Sequence, residues 1–586
     1  MSNTSGLLDL LINVPDEIRN KIISNYNYED PSSSKVELII LYGEDAETLK
    51  TEIEALGGTF EDLGYGYGIV TISGKDIPLL FNIRGLDYIE LPKNLYLSFE
   101  PSNRASCILE PRAVYGIEGK GILIGFIDSG IDYTNPSFIT DTGETRVEYI
   151  YDLDAGGAIY NKAQINEALK SPNPYSIVPH TDRIGHGTHV AGIACAGGKI
   201  PTRYYGVAPK SSIAMVKMTR QGSSNNGKST QLMRGIKFLI DKAFELNMPL
   251  VINISFSTND GAHNGSSLLE QYISTVATSR RVTIAIAAGN EGGRAHHVGG
   301  VIETIKPIQF SVGQQEKIII IELYKSLLMN LNLRLIAPNG NSTQQLNIVN
   351  TINLGRIIGN QYFIYNTGPT PFNIDGEIII VISGVGDSFV SNGIWTMEMI
   401  PANRYSGKYD MWLPITEGLS VDTRFLNPSI NNTVGIPGTV EDIITVGSYN
   451  SNNLTISPFS GRGNLGLNPV KPDVVAPGEN IESSTPGGGF EPRSGTSMST
   501  PAVAGACALL MEFGIINGRD PYLYGQRLKY FLLKGASRTR VDETYPNNTW
   551  GYGTLCLDGA IKVWENEVAS REFKPIVIKE NKYYEI

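Results

Sequence analysis

The chain has 586 residues, of which 41% are hydrophobic; this composition supports sizeable cores, and the length suggests three to four domains. Its formal net charge of −11 argues against general nucleic-acid binding and favours an anionic, soluble surface. No apolar run approaches 18 residues, so no membrane span is expected. The first 20 residues lack the basic and apolar regions of a secretory signal peptide, so we expect synthesis in the cytoplasm without export by that route.

The first block, from about residue 34 to 94, alternates strand and helix patterns. Residues 36–43, 67–74 and 86–92 read as strands, and residues 45–58 and 75–83 read as helices, the first of them capped by Asp45. This order predicts a small α+β unit of the ferredoxin-like type within residues 1–98. A regulatory or docking domain is one interpretation of such a unit.

The second block, residues 99–295, has the pattern of a parallel α/β sheet. The run GILIGFIDSGID places Asp128 at the end of a strand that is apolar enough to be buried on both faces. Residues 206–218 and 249–257 are further buried strands, and residues 230–246 form an amphipathic helix. Because ligands collect at the carboxyl ends of such strands, Asp128 is a candidate functional residue.

Two more segments of this block carry polar residues next to apolar runs. GHGTHVAGIACAG puts His186 and His189 at the start of a helix of small residues. IAIAAGNEGG ends a buried strand with Gly289 and Asn290, which alone could be a simple turn. The four cysteines show no metal-ligand spacing, and Cys195 and Cys507 fall in predicted buried helices as small core residues.

The third block, residues 296–430, holds many short strand-like runs separated by Gly, Pro, Asn and Asp turns. This spacing predicts an antiparallel sandwich of the jelly-roll type. It is either a substrate-binding module or a clamp that only stabilises its neighbour. The sequence does not favour one reading over the other.

The last block, residues 431–570, contains GTSMSTP followed by the apolar run AVAGACALLM, and residues 571–586 form a tail. Ser497 therefore stands at a helix start, where free N–H groups and the helix dipole stabilise negative charge. A serine nucleophile needs a base, and the base needs an orienting group, which His186 and Asp128 can supply. Singly, each residue has an ordinary explanation as a helix cap or turn residue.

Jointly, the blocks IDSGID, HGTHVAG, AAGN and GTSMSTP resemble those of subtilisin-like serine proteases, in the same order. The resemblance implies Ser497 as nucleophile, His186 as general base and Asp128 as its orienting group. It implies that the Asn290 side chain and the Ser497 N–H form the oxyanion hole, and that His189 is structural. The implied substrate-binding residues are Ser255, Phe256, Ser257, Ala287, Ala288 and Gly289. Phe256 and Ser257 depart from the glycines common in the family, which leaves the substrate preference open.

Many members of this family bind calcium, but the acidic ligand expected after the first catalytic Asp is Ser137 here. The matching loop, KIPTRYYG at residues 199–206, is basic and has no carboxylate, although calcium prefers several oxygen ligands with carboxylate charge. We expect that the family calcium site is lost, and we predict no metal and no cofactor. The insertion could stabilise the fold in its place.

In this family the N-terminal unit is a propeptide that assists folding and then inhibits the active site, so we predict self-cleavage near Ser98. A propeptide, the insertion before the nucleophile and the intact triad together resemble the clostridial germination-specific Csp proteases. That resemblance implies a spore location, a cortex-hydrolase precursor as protein substrate and a propeptide that can stay bound as inhibitor. The alternatives are a general degradative protease and a catalytically silent binding or sensing scaffold.

Overall fold

The structure is a computed structural model that describes residues 35–43, 45–64, 66–90, 103, 105–218, 228–348, 352–370, 373–386, 388–464 and 469–568. The chain divides into two compact units, Met1–Ser98 and Phe99–Ile586. The cleavage position predicted near Ser98 and the C-terminal tail, residues 571–586, lie outside the described residues.

Over its described residues, the N-terminal unit is a four-stranded antiparallel sheet in the order β2-β3-β1-β4, packed with one α-helix and a 3₁₀ helix over Gly74–Asn82. The elements are β1 Lys35–Tyr42, α1 Ala46–Ala55, β2 Thr59–Gly64, β3 Tyr67–Ser73 and β4 Leu86–Glu90. Asp45 caps α1 as expected, because its carboxylate accepts the Thr48 N–H at 3.2 Å. Strand β2 was not predicted from the sequence, since TFEDLG has no clear apolar alternation.

The second unit begins with alternating helices and strands. In chain order these are α2 Leu109–Tyr115, β5 Leu123–Asp128, β6 Val147–Asp152, β7 Ala158–Asn161, α3 Lys162–Lys170, α4 His186–Cys195, β8 Ser212–Lys217, α5 Ser229–Glu245, β9 Leu250–Ile254, α6 Leu268–Ala277 and β10 Val282–Ala287.

An all-β insertion follows, with two antiparallel sheets that share one hydrophobic core. The six-stranded sheet has the order β11-β20-β13-β18-β17-β16, and the five-stranded sheet has the order β15-β14-β19-β12-β21. The strands are β11 His297–Ile302, β12 Lys306–Val312, β13 Ile318–Lys325, β14 Leu331–Ile336, β15 Leu346–Asn347, β16 Ile352–Ile357, β17 Asn360–Thr370, β18 Asn373–Gly384, β19 Gly393–Pro401, β20 Gly407–Trp412 and β21 Arg424–Phe425. Jelly-roll connectivity stays a prediction.

The chain then returns to the parallel sheet of the second unit. The elements after the insertion are β22 Ile444–Asn450, β23 Thr455–Ile456, β24 Val474–Pro477, β25 Ile481–Ser484, β26 Phe490–Arg493, α7 Thr496–Met511, α8 Gly525–Lys534 and α9 Leu557–Glu567. The completed sheet has nine strands in the order β23-β22-β10-β9-β5-β8-β6-β7, with β24 beside β22. Its central pairings are parallel, as predicted.

Both faces of this sheet are covered, which explains the unbroken apolar strands. On β5, Phe126 faces a core that includes helices α4 and α7, while Ile127 faces the core that includes α5 and α6. Among the described residues, the region Thr496–Ile516 is long and apolar enough to cross a membrane by length and composition alone. However, 89% of its most apolar window is buried inside the protein, as in the core helix of a soluble domain.

The cysteines divide into a bonded pair and two buried thiols. Cys107 and Cys556 form a disulfide across 449 residues, which their spacing in the sequence does not indicate. Cys195 and Cys507 are free and buried, and burial raises the pKa of both thiols, so they behave as small core residues.

Candidate active site

Asp128 and His186 are brought together by the carboxyl end of β5 and the first residue of α4. The two atoms Asp128 Oδ1 and His186 Nδ1 are 2.7 Å apart. Asp128 is fully buried, whereas the His186 side chain keeps 23% of its surface exposed. The carboxylate therefore holds a proton on Nδ1, and Nε2 is left as an acceptor on the accessible side of the ring.

The turn after Asp128 is fastened to the start of α4. Ser129 Oγ donates to Asp182 Oδ1 at 2.8 Å and accepts the Gly187 N–H at 2.8 Å. A Cβ on Gly187 would lie 2.1 Å from the Gly130 carbonyl oxygen, so only glycine lets the helix approach this closely. Sequence and packing thus fix the distance between Asp128 and His186.

Asp182 is a buried residue that sequence reasoning did not single out. Its Oδ1 also accepts the Gly185 N–H at 2.9 Å, and its Oδ2 accepts the N–H and the hydroxyl of Thr188 at 2.9 and 2.7 Å. It therefore binds the chain on both sides of His186. Asp182 lies four residues before the first residue of α4, whose N-cap is Gly185, so no capping signal in the sequence pointed to it.

His180 is a second residue that sequence reasoning did not identify, and it supports the turn after Asp128. It is fully buried; its Nε2 accepts the Ile131 N–H at 3.1 Å, and its Nδ1 lies 2.5 Å from Asp152 Oδ2. Burial acts to raise the pKa of Asp152, but the bond to His180 and the charge of Lys217 outweigh it and hold that pKa below its usual range.

Ser497 lies in the first turn of α7, as predicted, in a helix whose residues are all buried. Its hydroxyl donates to the Ser255 carbonyl oxygen at 3.4 Å, a long contact, and not to His186, among the residues that the structure describes. Ser497 and His186 nevertheless line the same cavity. In a free enzyme such catalytic hydrogen bonds are often long, and they tighten when substrate binds.

Asn290 follows β10, and its side chain reaches the start of α7. Its Oδ1 accepts both the N–H and the hydroxyl of Thr496, each at 3.0 Å. The amide nitrogen therefore stays available as a donor, and both Asn290 and Ser497 line the cavity. This is the geometry that a side-chain donor to an oxyanion needs.

A cavity of about 810 Å³ is lined by His186, Asn290 and Ser497, while Asp128 is buried behind His186 and does not line it. Of the predicted substrate-binding residues, Ser255, Phe256, Ser257, Ala287 and Gly289 line it. Ala288 is buried outside that lining: its N–H donates to Val446, and its carbonyl accepts from Gly435. One wall comes from the all-β insertion, through Ile320, Glu322, Trp412, Leu413, Pro414, Ile415, Glu417 and Gly418.

Ser257 fills space between two glycines beside the cavity. A Cβ on Gly435 would lie 2.7 Å from Ser257 Cβ, and one on Gly289 would lie 3.1 Å from Ser257 Oγ. The departure from glycine at position 257 therefore narrows this part of the cavity and adds a hydroxyl.

His189 is excluded as an alternative base by its surroundings. It is fully buried, and its Nε2 lies 2.9 Å from the Glu491 carbonyl oxygen. Burial lowers the pKa of His189 to about 4, so the ring is neutral near pH 7 and donates to that carbonyl.

At Ser137, where calcium-binding relatives were expected to have an acidic ligand, a guanidinium lies against the backbone. Arg146 donates to the carbonyl oxygens of Ser137 at 2.5 Å, Cys195 at 2.6 Å and Ser211 at 3.2 Å. In the described ranges of the chain, no group of three or more His, Cys, Asp or Glu residues could hold a metal ion. The loss of the calcium site stays a prediction.

Two family descriptions match this chain. Residues 2–93 match "Csp protease B prodomain", and residues 119–344 and 422–553 match "Subtilase family".

Among solved structures, the CspB protease of Clostridium perfringens is 52% identical, with a TM-score of 0.77, and the match covers 79% of this chain and 97% of that one. The PIII-type proteinase of Lactococcus lactis subsp. cremoris is 24% identical over 86% of this chain, and the minor extracellular protease Vpr of Bacillus subtilis is 24% identical over 76%. The match spans 27% of the length of the lactococcal protein and 52% of that of Vpr.

Proposed function

The chain belongs to the subtilase family of serine proteases and to its Csp group, and on that premise we propose that it is a self-processing serine endopeptidase. The observation that supports this most directly is the bonded pair of Asp128 and His186, which opens onto the same cavity as Ser497. A nucleophile, a base and an orienting group in that arrangement are the requirements for acyl transfer.

The proposed reaction begins when a peptide substrate displaces Ser497 Oγ from the Ser255 carbonyl. Oγ attacks the scissile carbonyl carbon, and its proton passes to His186 Nε2 while Asp128 stabilises the imidazolium. The Asn290 amide and the Ser497 N–H donate to the oxyanion of the tetrahedral intermediate. His186 then protonates the leaving amine, and a water molecule activated by the same residue releases the acyl group.

We assign residues 1–98 the role of a propeptide that is cut near Ser98 and then inhibits the enzyme. The prodomain match over residues 2–93 supports this role. The catalytic domain would comprise residues 99–295 and 431–570, with the insertion, residues 296–430, forming part of the substrate cleft.

We assign as substrate the precursor of a spore cortex-lytic hydrolase, activated by limited proteolysis during germination, and as location the spore of the producing bacterium. Membership of the Csp group supports this assignment, together with the 52% identity to a clostridial Csp protease. A single dominant cleavage site is expected, since a precursor is activated only by a cut at a defined place.

The first test compares wild type with Ser497→Ala after expression. Wild type should yield two fragments, and Ser497→Ala should keep a full-length chain of 63.8 kDa. Ser499→Ala is the matched control, because Ser499 lies in the same turn of α7 and its hydroxyl only bonds the Ala476 carbonyl. It should be processed like wild type; uncut wild type, or cut Ser497→Ala, would refute self-processing.

The second test incubates the processed enzyme with the purified hydrolase precursor and sequences any new N-terminus. One cut that depends on Ser497 and activates the hydrolase supports the assignment. Many cuts indicate a degradative protease, and no cut of this or any other protein indicates a silent scaffold.

A further inference from the structure

The six-stranded sheet of the insertion has an unusual outer face. Along β18, the inner residues Ile378, Ile380 and Ile382 are fully buried in the core, as the alternation of a strand requires. The outer residues between them, Ile379 and Val381, are also apolar. Surface strands normally carry polar residues at such positions, so this face has features of a contact surface.

The register shows that these outer residues form rows across four strands. One row is Leu354, Phe363, Val381 and Ile320, on β16, β17, β18 and β13 in turn. Leu354 is 74% exposed, on the strand that ends the sheet order among the described residues, and Phe363 and Ile320 are exposed too. At a strand spacing of about 4.8 Å, the row is about 15 Å wide.

A second apolar row lies beside the first: Ile352, Tyr365 and Ile379 follow one another on β16, β17 and β18. On the other side of the first row, Arg356 pairs with Gln361 and Gln361 with Ser383, so the rim is polar on β16, β17 and β18; on β13 this row ends at the exposed Ile318. We call the seven residues of the two apolar rows the outer apolar patch.

The outer apolar patch is continuous with the cavity that holds Ser497. Ile320, the last member of the first row, lines that cavity. The second row continues from Ile379 to Glu322, and from there to Trp412 on β20, and both of these residues also line the cavity. A protein held in the cavity by an extended segment would therefore meet this patch directly.

We propose that the outer apolar patch is an exosite that binds the folded body of the protein substrate beside its scissile segment. Contiguous apolar surfaces with a polar rim mark interaction sites, and an apolar face at a free sheet edge invites aggregation unless a partner covers it. Continuity with the catalytic cavity identifies that partner as the substrate. This inference rests on the proposed function and adds to it a surface that selects the substrate outside the cavity.

The test uses the hydrolase precursor and a peptide of about ten residues that spans its cleavage site. In the double variant Leu354→Ser/Phe363→Ser, kcat/KM for the precursor should fall about tenfold, mainly through KM, because two exposed apolar side chains lose their contact. For the peptide, which lacks the folded body that the patch is proposed to bind, kcat/KM should stay within about twofold of wild type. If the double variant does not fold, the single variant Leu354→Lys tests the same prediction: kcat/KM should fall for the precursor and not for the peptide.

Val421→Ser is the matched control, since Val421 is an exposed apolar residue in a loop beside the other sheet of the insertion. It should cleave both substrates like wild type. Equal precursor cleavage by wild type and the patch variants would overturn the exosite, and so would a parallel loss on precursor and peptide. If wild type itself leaves the precursor uncut, the proposed function fails instead.

Discussion

Asn290 Oδ1 accepts two hydrogen bonds from Thr496, one from its backbone N–H and one from its hydroxyl, each 3.0 Å long. Two donors on one oxygen fix the orientation of the amide, so the nitrogen is presented as a donor. Thr496 directly precedes Ser497. Ser497, the proposed nucleophile, and Asn290, its proposed oxyanion donor, are therefore positioned by the same residue.

Asn290→Ala should lower kcat by about 10²–10³, the range measured when one oxyanion donor is removed from subtilisin. Thr496→Val should have a smaller effect, about three- to tenfold in kcat, because the N–H bond to Asn290 persists while the hydroxyl bond is lost. KM should change little in both variants, since the donor acts on the transition state. Steady-state kinetics on a short peptide measure both effects. If Thr496→Val lowered kcat as much as Asn290→Ala does, the prediction of a smaller effect for Thr496 would be wrong.

Asp182→Asn should lower kcat by about tenfold with little change in KM. An amide in place of the carboxylate cannot accept all four bonds that come from Ser129, Gly185 and the N–H and hydroxyl of Thr188. His186 would then be held less firmly against Asp128, and the pH profile of kcat/KM should shift as well.

Asp141→Asn is the control for this position, because Asp141 is an exposed residue in a turn of the same unit. It should retain wild-type kinetics and an unchanged pH profile. If Asp182→Asn lowered only the melting temperature, with kcat and the profile intact, Asp182 would be structural and not a positioning residue.

The separate parts of the site were readable from the sequence because each follows a local pattern. Asp128 ends an apolar strand and Ser497 starts an apolar helix, and the structure places both there. The parallel sheet and its covering helices were predictable for the same reason. The rows of the outer apolar patch could not be predicted from the sequence, since they depend on the register between strands far apart in the chain.

The contacts that connect the parts are long-range, which is why sequence reasoning missed them. Cys107 and Cys556 are 449 residues apart, and no spacing rule links them. The role of Asp182 depends on its bond to Ser129, which forms only because the turn after β5 meets the start of α4. Ala288 was assigned to substrate binding by resemblance, whereas its N–H bonds Val446 on β22 and its carbonyl bonds Gly435 in the loop before that strand.

Arg146 is expected to hold together the region around Ser137, where the family resemblance placed the lost calcium site. Arg146→Met would leave the carbonyls of Ser137, Cys195 and Ser211 without this donor, at a cost of about 2–5 kcal/mol in the free energy of unfolding. In wild type, a chelator and added calcium should both leave the melting temperature unchanged, because a bound guanidinium repels a cation.

Thermal melts with chelator, with calcium and with neither measure this directly. Lys199→Met is the control, since Lys199 is in the same region but its side chain is not part of this set of bonds. A melting temperature that falls on chelation would show a calcium site and contradict the prediction.

His189 should make the folded protein sensitive to acid. Burial lowers its pKa from 6.5 to about 4, so the unfolded chain binds a proton in this interval that the folded protein does not. Stability should therefore decrease as pH falls from about 6.5 to about 4, by on the order of 3 kcal/mol from this residue. His189→Asn removes the titrating group and should flatten that part of the curve, even if its stability at pH 7 is lower. Denaturant unfolding at intervals between pH 7 and 4 compares the two slopes, and parallel curves would mean that His189 is not the group responsible.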